Sequence, residues 1–319
     1  MANHYDLRDR KDPGTKQFTT PSSAQRQILA QERRLFRNEG NALIIASKPA
    51  NTDLGLKIRD IRRRQVVEMI SGGEYVGCSV NIIELYIFHL CQHVNRIQNR
   101  AQPGQIPVCY LQSHAWSAAF LDKRDVTPGV TPSQSLTADG LAPSAFMKVE
   151  HFFIPIRQRY PSLHTHSQLM IISPVNKTIE FRCSGAEFYS INVGDREIAC
   201  AYQLLKDHLG PRFDPDEWRV RQGECPQQGP TANCGIHTLT GAMNIAFGYP
   251  TDYQGKDTLS KRLKVASEIL HSGFVVRPDP LYRLSPLEEG HCYAINNQQY
   301  LSVYPEMCPT RESGGGSIV

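Results

Sequence analysis

Apolar residues between positions 79 and 97 recur at Val80, Ile83, Ile87, Leu90, Val94 and Ile97, in steps of 3, 4, 3, 4 and 3. That repeat is one face of a helix. Leu85 and Phe88 widen the face, so the pattern predicts a helix buried near the centre of a domain. The period changes after residue 150. Three short β-type runs follow, 151–157 (HFFIPIR), 166–173 (HSQLMIIS) and 177–183 (KTIEFRC), and Pro174-Val175-Asn176 makes the last two a hairpin. Helical spacing returns at 196–209 through Ile198, Tyr202, Leu205 and Leu209, and Gly210-Pro211 stops it. Residues 217–221 read as a strand. A loop rich in Gly, Pro and Gln at 222–233 leads into a helix from Cys234 to Phe247. A last helix over 257–271 has Asp257 as its cap and Leu259, Leu263, Ala266 and Leu270 inside.

Elsewhere the pattern says less. A helix capped by Ser22 or Ser23 runs to about Asn38, and its outer face carries Arg26, Arg33, Arg34 and Arg37. Residues 57–64 (KIRDIRRR) add a basic run that reads as a solvated face. Val108–Phe120 is ambiguous between helix and strand. Residues 122–147, with three prolines, read as a long surface insertion. Strands with helices before and after them predict an α+β fold.

Composition changes this picture only by exclusion. The 319 residues hold 35 Lys+Arg and 31 Asp+Glu, a net charge of +4, too small to argue for nucleic acid. The N-terminal residues have no apolar signal region, and no run reaches membrane-spanning length. A nuclear or cytoplasmic protein with no membrane partner is expected. Nine cysteines, none in a C-x-x-C pair, argue against a disulfide scaffold and a zinc ribbon. His89 and His93 share a helix face, but without a third ligand they read as partly exposed histidines. No cofactor and no metal are expected.

Two residues carry candidate chemistry. Asn233 is a good helix N-cap, which places Cys234 in the first turn. There the helix dipole and free N–H groups favour the thiolate, the nucleophilic form. Gly235 lets another backbone approach the sulfur. Gln228, on the preceding loop, can bring an amide N–H beside the Cys234 backbone N–H, and two such donors suit a tetrahedral oxyanion. His166, at the start of a strand, can accept the thiol proton and return it to a leaving amine.

In order and setting these segments resemble the ubiquitin-like-protein-specific cysteine proteases of the SUMO-deconjugating type, which share a clan with the adenovirus maturation protease. The resemblance rests on GGEYVGCSVNIIELYIF at 72–88, FIPI at 153–156, HSQL at 166–169 and QGPTANCG at 228–235, with His before Cys. It spans about residues 60–275. It implies a papain-like cysteine protease fold of the ubiquitin-like-protease type, with a central mixed sheet flanked by helices. It also implies three parts: a basic N-terminal arm at 1–56, a catalytic domain at 57–275 with the insertion at 122–147, and an extension at 276–319.

On this match Cys234 is the nucleophile, His166 the base and Gln228 the oxyanion donor. His164 is a rival base, but the strand is in family register only for His166. Carried along the hairpin from His166, the family's acid falls on Cys183. Ser184, or Glu187 after a loop adjustment, is the alternative group to orient His166. Where the family clamps a thin substrate tail between two tryptophans, this chain has Ser167 and Tyr75, which with Gly235 would line the channel. The implied activity is a cysteine isopeptidase or endopeptidase, a deubiquitinase- or deSUMOylase-like hydrolase in the ubiquitin-like conjugation pathway. Its partner would be a ubiquitin-like protein or its conjugates. A ubiquitin-like-binding pseudo-protease and an acetyltransferase with the same Cys–His chemistry are the alternatives. His237, one turn after Cys234, reads as a core or rim residue.

Overall fold

The computed structural model describes residues 61–71, 76–98, 105–111, 132–160, 163–186, 195–229 and 231–248, together with 30, 43–45, 261–262, 265–266 and 269. Its elements in order are β1 (Leu43–Ile45), β2 (Ile61–Arg62), α1 (Arg63–Ser71), α2 (Val80–Ile97), β3 (Cys109–Leu111), α3 (Pro132–Ala138), α4 (Pro143–Phe146), β4 (His151–Tyr160), β5 (Leu163–Ser173), β6 (Thr178–Arg182), α5 (Asp195–Leu209), β7 (Arg219–Gln222) and α6 (Cys234–Phe247). Positions 261, 262, 265, 266 and 269 are also helical. β1 and β2 form a small antiparallel pair.

The main sheet is mixed, in the order β3-β4-β5-β6-β7. Its centre is antiparallel, β4 on β5 and β5 on β6, and its flanking pairs, β3 on β4 and β6 on β7, are parallel. The β5–β6 connection is a single 3-10 turn at Pro174–Asn176, closed by Lys177 at φ 49. A turn this tight fixes the register from Ser173↔Thr178 out to Leu169↔Arg182. The far end of β6 is thereby brought back beside the start of β5.

Alternation along the central strands builds two cores. Phe153, Leu169 and Ile171 pack with α2 and α6 on one face. Phe152, Ile154, Ile156, Met170, Ile172, Ile179 and Phe181 pack with α5 and with Leu136, Leu141 and Phe146 on the other. Every residue of α6 is buried, including the polar His237, Thr238, Thr240 and Asn244. Its Thr238 and Thr240 hydroxyls donate to the Cys234 and Ile236 carbonyls at 3.0 and 2.8 Å, which satisfies them without water. Gly248, in the left-handed region at φ 61, ends the helix. α2 begins at Ser79, whose hydroxyl accepts from the Ile82 N–H at 3.3 Å.

The hydrophobic pattern located α2, β4 to β6, α5, β7 and α6 to within a few residues. Within 122–147, read as a surface insertion, the described residues 132–147 hold α3 and α4, which fold against the second core with Leu136 and Phe146 fully buried. The basic run at 57–64 gave no sign of α1, which opens on Arg63 and turns Val66, Met69 and Ile70 inward. The N-terminal helix at 22–38, most of the helix at 257–271 and the extension at 276–319 lie outside the described residues.

Candidate active site

The end of β6 meets the start of β5 at a thiol and an imidazole. Cys183 is the first residue past β6, and its Sγ lies 3.3 Å from Nε2 of His166. Both are 1 % exposed. Burial pulls the His166 imidazole down to about 4. Burial also pushes the Cys183 thiol up to about 11, opposed in part by a hydrogen bond from the Gly185 backbone. Near neutral pH the contact therefore joins a neutral thiol to a neutral imidazole. The acid position implied by the resemblance is filled, in space, by sulfur.

Cys234 opens α6 as expected, but the capping is different. Asn233 occupies the N-cap position, yet its side chain caps nothing. Its Oδ1 accepts instead from Nε and Nη2 of Arg262, at 3.0 and 2.6 Å, and its Nδ2 donates to Thr231 Oγ1 at 3.0 Å. The reason is competition: a guanidinium offers two charge-assisted bonds in a fork, stronger than one backbone N–H. The first-turn N–H groups are thus not taken up by Asn233, and the positive end of the helix is left to Cys234.

Burial pushes the Cys78 thiol up to about 12, and negative charge on Cys234 would raise Cys78 and Cys183 further. A side chain on Gly235 would lie 2.6 Å from Cys78 Cβ and 3.1 Å from Ile83 Cδ1. The glycine therefore lets α6 close onto the start of α2. The close neighbour on this side of Gly235 is the chain's own packing.

The loop carrying Gln228 is tied to the end of β6. Arg182 and Arg221 flank the buried Glu180 as ion pairs, the second at 2.6 Å, and Arg182 also donates to the Glu224 carbonyl. A side chain on Gly223 would collide with Glu180. Gln227 Nε2 donates to the Cys183 carbonyl at 3.1 Å. The Gln228 N–H donates to the Ser184 carbonyl at 2.8 Å, and the Ser184 hydroxyl donates to Gln228 Oε1 at 2.7 Å. Gln228 Nε2 donates to the Thr231 carbonyl. Ser184 thus holds the amide of Gln228, where the sequence reading offered it as a partner for His166. Fixing Oε1 in this way sets which edge of the amide carries the N–H donors.

Ser167 is 7 % exposed and pairs with Arg157 across β4 and β5. Tyr75 and Glu187 lie outside the described residues, as does the side chain of His164. His237 is buried, and burial together with Lys261 and His166 pulls it down to about 3. His93 packs its ring edge-on against Phe247. Among the described residues no group of three His, Cys, Asp or Glu side chains could hold a metal ion, and no helix is long and apolar enough to cross a membrane.

Sequence reasoning missed Arg262, Cys78 and Thr231. One signal was present for Arg262. Positions 261, 262, 265, 266 and 269 form a single helical stripe, and two of its five residues are basic.

No family model and no curated protein matches the sequence. Solved structures do match the fold. The Ulp1-like SUMO protease catalytic domain of Chaetomium thermophilum aligns with TM-score 0.64 and 21 % identity over 80 % of this chain and 92 % of that one. The C-terminal Ulp1 protease domain solved in complex with Smt3, the yeast SUMO orthologue, aligns with TM-score 0.56 and 15 % identity over 80 % and 97 %. The mixed central sheet flanked by helices is the α+β fold of Ulp1-like SUMO protease domains, and that is the fold of this chain.

Proposed function

We propose that the protein is a cysteine isopeptidase or endopeptidase that cleaves after the C-terminal tail of a ubiquitin-like modifier. The observation that carries this reading is the 3.3 Å contact of Cys183 Sγ with His166 Nε2, on a strand pair leading to a helix that opens on Cys234. A histidine held at Nε2 has Nδ1 as its other nitrogen, the one assigned here to the Cys234 thiol. In acylation, Nδ1 takes the thiol proton as the sulfur adds to the scissile carbonyl. The oxyanion is held by the Cys234 backbone N–H and Gln228 Nε2. The imidazolium then gives its proton to the departing amine as the C–N bond breaks. Water, deprotonated by the same nitrogen, hydrolyses the thioester and frees the tail carboxylate and the thiol.

Cys183 would orient the ring in place of a carboxylate. A neutral thiol supplies no negative charge, so the imidazolium is less stabilised than in a full triad. That observation favours one second reading, a slow or silent protease that binds its modifier. The complex of a similar domain with Smt3 supports a partner of the ubiquitin-like class. A ubiquitin-like protein bearing a C-terminal electrophile tests both readings. The protease reading expects a covalent adduct at Cys234 that is lost in Cys234→Ala. Tight binding without an adduct would sink it and leave the binder.

A further inference from the structure

Arg262 is the largest fully buried side chain described, at 0 % exposure. Its guanidinium bonds to four places around the start of α6. It makes the fork onto Asn233 Oδ1, and it donates to the carbonyls of Met69 at 3.0 Å, Val76 at 2.7 Å and Ala232 at 3.4 Å. One side chain thus ties the end of α1, the segment entering α2 and the two residues before Cys234. The guanidinium also pulls the Cys78 thiol down against burial.

We propose that Arg262 is a positioning residue for Cys234: through its fork onto Asn233 and its bond to the Ala232 carbonyl it fixes the first turn of α6, on which Cys234 sits. The proposal rests on the reading of Cys234 as the nucleophile and extends it to a helix that carries no reacting group. The fork onto Asn233 leaves the first-turn N–H groups to the sulfur instead of to a side-chain cap. The thiol would then owe its reactivity to a helix terminus that a guanidinium 29 residues away in sequence holds in place.

The test compares wild type, Arg262→Lys and Arg262→Met by the rate of iodoacetamide alkylation at Cys234, resolved by peptide mass spectrometry at fixed neutral pH. Folding is checked by circular dichroism. The buried thiols of Cys91 and Cys200 serve as internal references. Loss of the fork onto Asn233 should slow alkylation in Arg262→Met by about tenfold or more, with Arg262→Lys between the two. On a fluorogenic modifier amide, kcat should fall with KM unchanged. Arg262→Met that folds and alkylates at the wild-type rate overturns the proposal. If Arg262→Met does not fold, Asn233→Ala cuts the same link from the other side, and an unchanged alkylation rate there overturns it equally. Because alkylation needs no protease activity, failure of wild type to react with the electrophilic modifier would count against the protease reading alone.

Discussion

Cys183→Asp should convert a weak positioning group into a strong one. The structure sets the size of the effect. Burial at this position raises the thiol from 9.0 to about 11, a penalty on a negative charge of roughly 3 kcal/mol. The same penalty on a carboxyl group, ordinarily near 3.9, would place it at about 6. It would be ionised near neutral pH before any attraction to the imidazolium is counted. The new carboxylate would lie where sulfur now lies 3.3 Å from Nε2, and would stabilise the imidazolium that forms as Cys234 attacks. Neutralising the acid of a Ser triad costs about 10⁴ in turnover. A thiol at a helix terminus needs less help from its base, so a gain of about 10- to 100-fold in kcat/KM is expected. The assay is hydrolysis of a fluorogenic modifier amide from about pH 3 to 9. The acid limb should also move up by about a unit or more, because burial alone now holds the imidazole at about 4 and a carboxylate would raise it. Cys183→Ala should lower turnover only a few-fold, having removed a weak acceptor. A folded Cys183→Asp variant with wild-type or lower kcat/KM and an unmoved acid limb would show that this position does not orient His166.

Ser184→Ala should lower kcat with little change in KM, and Ser184→Thr should restore it, since the hydroxyl fixes Gln228 Oε1; equal kcat in Ser184→Ala and wild type refutes the link. Gly235→Ala should cost about 1–3 kcal/mol in urea unfolding, because its methyl meets Cys78 Cβ, and Cys78→Gly should recover part of the loss; two additive effects would show that no clash exists. Stability should fall as pH drops from about 6.5 towards 4, because unfolded imidazoles take up protons while His151 and His166 stay neutral until about 4 and His237 until about 3. At pH 5 each depressed histidine should cost about 2 kcal/mol. Neither ring nitrogen of His151 has a hydrogen-bond partner among the described residues, so His151→Phe should flatten the urea-midpoint profile over this range, and an unflattened profile refutes the assignment.

The sequence by itself determined the elements whose periodicity is strong and local. The 3-4 stripe of α2, the hairpin at Pro174–Asn176 and the helix opening on Cys234 were legible because each depends on neighbours along the chain. With His166, Gln228 and Cys183 they gave the order of the site. Tertiary structure decided what those residues touch. Asn233 reads as a cap on propensity alone, yet a guanidinium 29 residues away in sequence outcompetes the backbone for it. Ser184 reads as a partner for His166 by proximity in the chain, yet the strand end turns its hydroxyl to Gln228, 44 residues on. Gly235 reads as room beside the sulfur, and the group that closes on it is Cys78. In each case a pattern of residue types states what a side chain could bond. Only the closure of distant segments around a buried charge states which partner is there, because that competition is settled by desolvation and geometry that no local window contains.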